Sequence, residues 1–197
     1  MKKIVLFASG SGSNAENIIK YFQKSKVGDV IWLLSNKKDA YALTRAKNLG
    51  VKSKVFSREE FYNSKTVIDF LKEVDPDIIV LAGFLWLIPS SMVSHFRDRI
   101  INIHPALLPH YGGKGMYGDN VHKAVIENGE DKSGITIHYV NEKYDDGNII
   151  FQASCKVDTN DDPASLASKV HELEYEYYPR VIEKILCGEE DLLRLDR

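Results

Sequence analysis

Cysteine is nearly missing from this chain. Its 197 residues hold two, Cys155 and Cys187, in no metal-binding spacing and too few for a disulfide framework. Both read as reduced thiols of a cytoplasmic protein. Net charge is nearly missing too: 26 Lys and Arg against 28 Asp and Glu leave −2. The chain as a whole therefore draws neither nucleic acid nor an anionic membrane surface, and any anion must be held by a local device. No apolar run nears the roughly 20 residues of a membrane span. Lys2-Lys3 followed by Ile4-Val5-Leu6-Phe7-Ala8 mimics a leader. Its apolar run falls short of the roughly 7–15 residues such a segment needs, and Ser and Gly follow directly. The run is read as a first β-strand. Internal repeats, low-complexity stretches and interdomain linkers are also missing.

What is present suits one domain over 1–197, with 44% hydrophobic and 27% charged residues. Apolar runs at 3–8, 30–34, 52–56, 78–82 and 100–104 alternate with helical patterns, two of which cover 40–49 and 57–74. This β-α-β order calls for an α/β fold with a doubly wound, mostly parallel, Rossmann-like sheet. Ser57 with Glu60 forms a capping box, and Asp119 is expected to cap a helix reaching 128. After that the pattern changes. Strands at 134–140 and 149–157, joined through Asp145-Asp146-Gly147, form an antiparallel C-terminal hairpin at one edge. A long C-terminal helix over 163–186 carries Val170, Leu173, Tyr177 and Ile185. We divide the domain into a nucleotide-binding half at 1–105, a second half at 106–188 and a peripheral tail at 189–197.

Two stretches carry chemistry. Ser9-Gly10-Ser11-Gly12-Ser13-Asn14 joins the first strand to a helix start, where backbone N–H groups and the helix macrodipole favour an anion. The same loop fits Gly10-x-Gly12-x-x-Ala15, a weak dinucleotide fingerprint. A P-loop is excluded, because no Gly-Lys-Ser/Thr occurs. NAD would want an acidic residue after the second strand. Ser35-Asn36-Lys37-Lys38 stands there instead, leaving a 2′-phosphate reading for the two lysines beside the plainer one of a solvated loop. The other stretch is Ile100-Ile101-Asn102-Ile103-His104-Pro105. Side chains two apart on a strand share a face, so Asn102 and His104 stand side by side at a strand's carboxyl end. An isolated pair of this kind is usually a hydrogen-bonded structural pair. The neighbourhood reverses those odds, since the 10–14 loop, an apolar Gly83-Phe84-Leu85-Trp86-Leu87-Ile88 loop and His104 all fall at strand carboxyl ends. The 110–118 segment is Gly-rich, suggesting a ligand-shaped loop. Asp145 taken alone has a plain alternative as a turn residue, His138 as a satisfied core histidine, and His122 and His171 as helix-face residues.

Over nearly its whole length the chain resembles the phosphoribosylglycinamide formyltransferases. The resemblance rests on the 10–14 loop, Leu81-Ala82-Gly83-Phe84, Ile101-Asn102-Ile103-His104-Pro105-Ala106-Leu107-Leu108-Pro109, Ser133 through Val140, the Asp145 turn and Ile149-Ile150-Phe151-Gln152. It implies transfer of a formyl group from 10-formyltetrahydrofolate to glycinamide ribonucleotide in purine biosynthesis, with no metal and no nucleic acid or membrane partner. A monomer or homodimer is expected. By the same resemblance, Asn102, His104 and Asp145 are the catalytic set. Gly12, Ser13, Asn14 and Glu174 meet the ribonucleotide. Arg58, Leu85, Trp86, Leu87, Ile88 and Asn102 meet the folate, with Trp86 replacing a common Arg and favouring stacking. In this scheme a protonated His104 donates to the developing oxyanion, and Asp145 raises its pKa. The alternatives are a formyltetrahydrofolate hydrolase, with water as acceptor, and an NADP-dependent oxidoreductase.

Overall fold

The computed structural model describes residues 1–189. Most of the expected tail at 189–197 lies outside the described residues. The elements are β1 (Lys2–Phe7), α1 (Ser13–Phe22), β2 (Gly28–Ser35), α2 (Tyr41–Asn48), β3 (Lys52–Val55), α3 (Arg58–Tyr62), α4 (Thr66–Val74), β4 (Ile78–Leu81), α5 (Ser90–His95) and β5 (Ile100–His104). They continue with α6 (Asp119–Glu127), β6 (Lys132–Tyr139), β7 (Ile149–Lys156) and α7 (Pro163–Cys187). The strands run in the order β3-β2-β1-β4-β5-β6-β7 in one seven-stranded sheet. This is the expected α/β class. The chain forms two compact units, one at Met1–Asn102 and one from Ile103 onward.

In the first unit, β1 pairs in parallel with both β2 and β4. The strands that follow β1 in the chain thus leave it in opposite directions, which creates a switch point at the carboxyl ends of β1 and β4. Ile4, Val5, Leu6 and Phe7 are wholly buried, as are Ile79 and Val80. Each such side chain stabilises by about 1.5–3 kcal/mol. The run of apolar residues without alternation reflects a strand covered on both faces. Helix α1 buries Ala15, Ile18, Ile19 and Phe22, the i, i+3, i+4, i+7 stripe of one helix face.

The helix expected at 57–74 is two helices. Ser57 accepts from the Glu60 N–H at 3.2 Å and Glu60 answers the Ser57 N–H at 2.7 Å, so the capping box starts α3 as expected. Asn63 then donates to Glu59 at 2.6 Å, and the Ser64 hydroxyl accepts the Thr66 N–H at 3.3 Å. Short polar side chains that bond locally compete with the helical ladder, and α4 restarts beyond them.

In the second unit, β6 and β7 pair antiparallel. The N-cap of α6 is Gly118, with no side-chain cap, and Asp119 is the first helical residue. The expected cap is therefore off by one position. At α7 the Asp162 carboxylate accepts the Ser165 N–H at 2.8 Å, and Pro163 follows the cap directly. The buried face of α7 is Leu166, Val170, Glu174, Tyr178, Val181 and Ile182. Leu173, Tyr177 and Ile185 flank it instead of centring it. The expected apolar stripe was rotated because its true centre holds a carboxylate, which hydropathy counts as polar.

Candidate active site

In the first unit the anion loop is anchored from outside itself. The Gly10 carbonyl accepts the Ala42 N–H at 3.1 Å, and the Ser11 carbonyl accepts Arg45 Nε at 3.0 Å. Ser9 N–H donates to the Gly83 carbonyl at 3.0 Å, while the Ser9 hydroxyl accepts the Leu85 N–H at 3.2 Å. The two loops at the switch point are thus bonded to each other. Gly12, the N-cap of α1, has φ 74° and no side chain to cap the first turn. A Cβ there would overlap Ala42, so glycine is required by both backbone angle and space. Ser13 and Asn14 begin the helix directly after it.

Arg58, Leu85, Trp86, Leu87 and Ile88 also belong to the first unit, and the structure brings most of them together. The Arg58 guanidinium lies over the rings of Tyr62 and Trp86, 5.0 and 5.6 Å from their centroids. Trp86 packs against Phe61, Tyr62 and Phe56 at 5.8–6.2 Å. Tyr62 OH donates to the Leu87 carbonyl at 2.9 Å. Ile88 is buried, whereas Leu85 is exposed. Such a cation on aromatic faces is a favourable packing in itself and could stack a flat ligand.

Asn102 closes the first unit on β5, paired in register with Leu81. His104, two residues further on the same strand, opens the set in the second unit. It is 3% exposed. Its Nε2 lies 2.7 Å from the Tyr111 carbonyl. A carbonyl only accepts, so Nε2 carries the hydrogen, and Nδ1 faces Asp145 Oδ2 at 3.5 Å. The other Asp145 oxygen faces His138 Nε2 at 3.6 Å. Gly113 N–H donates to Asp145 at 3.0 Å. Asp145 itself sits at φ 53°, and Gly147 passes so close to the Tyr139 carbonyl that a Cβ would overlap it. Asp146, the neighbouring carboxylate in the same turn, points away to Asn141 and Lys143.

Electrostatics follow from burial. Desolvation raises the Asp145 carboxyl, but the His138 contact, the nearby His104 and the Gly113 N–H outweigh it, and the pKa ends below the ordinary value. For His104, desolvation is the largest influence and pushes the imidazole below its ordinary value. Asp145 does pull it upward, as expected, but burial wins. The expectation of a raised His104 pKa is therefore corrected: at neutral pH the imidazole is mainly neutral.

Glu174 lies on the buried face of α7, 5% exposed, and accepts from His171 Nδ1 at 2.8 Å. That bond raises the His171 pKa. His122 lies on the buried face of α6: it is 2% exposed, with its Nδ1 unbonded, and burial lowers its pKa. Among the described residues, no three His, Cys, Asp or Glu side chains are gathered closely enough to hold a metal ion, and no helix is long and apolar enough to cross a membrane.

Sequence reasoning missed the supports. Thr136, wholly buried, donates to the Ala106 carbonyl at 2.7 Å and accepts the Leu108 N–H at 2.9 Å. Gln152 adds bonds to Thr136 and to the Leu108 carbonyl at 2.8 and 3.0 Å. Together they fix the Pro105-to-Pro109 turn to the hairpin. A register shift between Ile137 and His138 marks a β-bulge, which re-aims His138 toward Asp145. Polar Thr136 inside an isoleucine run was the available signal. The bulge had none.

Residues 2–182 match the family model described as formyl transferase. The chain is 43% identical over 194 residues to the chloroplastic phosphoribosylglycinamide formyltransferase of Arabidopsis thaliana, a match covering 95% of this chain and 66% of that protein. It thus spans just under two thirds of the plant relative's length. It is 36% identical to the Escherichia coli phosphoribosylglycinamide formyltransferase, covering 94% of this chain and 87% of that one. The solved phosphoribosylglycinamide formyltransferase of Coxiella burnetii superposes with a TM-score of 0.86 at 36% identity, covering 95% and 88% of the two chains. Neither the NADP oxidoreductase reading nor the hydrolase reading draws support from these relatives. Fold, strand order and the match over residues 2–182 agree, and the chain belongs to the formyl transferase family.

Proposed function

We propose that this chain transfers a formyl group from N10 of 10-formyltetrahydrofolate to the amine of glycinamide ribonucleotide, in purine biosynthesis. Asn102, His104 and Asp145 are its reacting groups. Gly12, Ser13 and Asn14 take the phosphate and ribose, with Glu174 on the ribose or amine. Arg58, Leu85, Trp86, Leu87, Ile88 and Asn102 take the folate. The observation that carries the reading is the set around Asp145: a carboxylate, oriented by Gly113, 3.5 Å from Nδ1 of the buried His104. The protein works in the cytoplasm, as one domain and as a monomer or homodimer.

The chemistry follows from that arrangement. The amine nitrogen attacks the formyl carbon, and the carbonyl electron pair moves to oxygen. The Asn102 amide donates to the oxyanion as its charge develops, and His104 Nε2–H joins it through a three-centre bond shared with the Tyr111 carbonyl, when donors lower the barrier most. The attacking amine sheds a proton, relayed through water to His104 Nδ1. The imidazolium so formed lies between the Asp145 carboxylate and the oxyanion, both of which stabilise it. Collapse breaks the bond from carbon to N10, and the relayed proton returns to N10. Every proton is accounted for by these groups and water, so no metal is assigned a role.

The test is consumption of 10-formyltetrahydrofolate followed by absorbance, with and without glycinamide ribonucleotide. Consumption that needs the ribonucleotide and yields its formylated product is the expected result. Consumption without it would make the chain a hydrolase, and none in either condition would overturn the reading.

A further inference from the structure

The 110–118 loop reaches His104 and Asp145 separately: the Tyr111 carbonyl bonds the imidazole, and the Gly113 N–H bonds the carboxylate. Tyr111 holds an unfavourable backbone conformation for a residue with a large side chain, φ 57°. Its own side chain explains how that conformation is kept. The hydroxyl donates to Glu130 Oε1 at 2.7 Å and accepts from Asn128 Nδ2 at 3.0 Å, just past the end of α6. The ring is thus tethered at its tip while its carbonyl faces His104.

A neutral imidazole has one N–H and two claimants for it here. The Asp145 carboxylate, nearest Nδ1, favours a hydrogen on Nδ1; the Tyr111 carbonyl favours one on Nε2. The carbonyl sits at 2.7 Å and the carboxylate at 3.5 Å, so the shorter bond decides for Nε2. His138, Glu174 and His122 also act on His104 electrostatically. We propose that Tyr111 is a positioning residue: its tethered hydroxyl fixes the carbonyl that keeps the hydrogen of His104 on Nε2, leaving Nδ1 open toward Asp145. The inference rests on the role given to His104 above, which needs a donor at Nε2 and a base at Nδ1. In the other tautomer a lone pair would face the oxyanion.

The experiment uses the full chain with 15N-labelled histidine, whose two imidazole nitrogens resonate apart according to which holds hydrogen. In the ligand-free wild type, His104 is expected to show the Nε2–H pattern. Tyr111→Phe, which keeps ring and carbonyl but frees the tether, shifts the pattern toward Nδ1–H. Glu130→Leu does the same, while Glu130→Gln keeps an acceptor and the wild-type pattern. In the formyl-transfer assay the two disruptive variants lose about five- to tenfold in kcat with KM within about twofold, and Glu130→Gln does not. A wild-type Nδ1–H pattern, or Tyr111→Phe with unchanged nitrogen signals, would overturn the proposal. Because the signals are read without substrate, an intact tautomer response in a chain that transfers no formyl group would condemn the proposed function alone.

Discussion

The anion loop and the His104–Asp145 set are built on opposite plans. The loop is a run of consecutive residues whose conformation follows from its own glycines and from two bonds to α2. The set is drawn from β5, the loop after it, β6 and the turn before β7, with Asp145 facing both His104 and His138 and bonded by the Gly113 N–H. A contiguous site depends on a few local substitutions and is indifferent to most others. A dispersed one depends on every support that aims its members. The contrast also separates binding from chemistry: backbone N–H groups can cradle a phosphate without side chains, whereas moving a proton needs ionisable groups whose environments differ.

The largest effects should fall on the dispersed set. His104→Ala and Asp145→Asn are each expected to lower kcat by about 10²–10⁴-fold, with His104→Ala the more costly and KM for both substrates little changed. The acid side of the pH–rate profile sharpens the point. In the proposed mechanism His104 must be neutral to accept the amine proton, and burial holds its pKa below about 6.5. Activity therefore falls on acidification only below that value. Asp145→Asn removes the pull that partly offsets burial, so the His104 pKa drops further and the acid limb moves to lower pH. Stability has the same sign: for a depressed pKa, the contribution is present above about 6.5 and is lost as pH falls through the folded value. An NMR titration of His104 in both proteins checks this, and an upward move in the variant would break the account.

Gly12→Ala is the matching test of the contiguous site. The substitution meets a left-handed φ and an overlap with Ala42 at once, at a cost of about 1–3 kcal/mol in stability. Steady-state kinetics should show the ribonucleotide KM raised at least about tenfold, with the folate KM and the His104 signals unchanged. A fall in kcat alone would mean that the two regions are not separable.

The same contrast explains what was legible beforehand. The β-α-β order, the Gly loop and the Ser57–Glu60 cap could be read because each is local: a strand pattern, a helix start and a bond three residues long. Asn102 and His104 were legible as neighbours on one strand. That Asp145 and not Asp146 turns inward was carried only by resemblance, and the turn's own chemistry suits either. Tyr111, Thr136 and Gln152 were not assigned roles, since their partners are fixed by tertiary packing. The net direction of the His104 pKa was not legible for a physical reason. A nearby carboxylate is visible in a motif, but the depth of burial that outweighs it is not. Glu174 made the same point on α7, where the centre of the buried face is the residue hydropathy would exclude.

The smallest effect expected is at Arg45, where the loop's independence is least complete. Glu16 stands in the first turn of α1, a favourable place for a carboxylate beside a helix N-terminus and an unfavourable one beside an incoming phosphate. Arg45 and Lys20 both ion-pair with it. Arg45 also donates to the Ser11 carbonyl and lies 4.9 Å from the Tyr41 ring centroid. Arg45→Met should therefore act twice, releasing the loop and exposing the Glu16 charge. A ribonucleotide KM raised about three- to fivefold with kcat intact is expected. Glu16→Gln in the same chain should recover the electrostatic part and leave the loop part. Binding of the dephosphorylated substrate separates the two, since only the loop part can touch it, and added salt should shrink the other. Equal losses with and without the phosphate would show that Arg45 serves the shape of the loop alone.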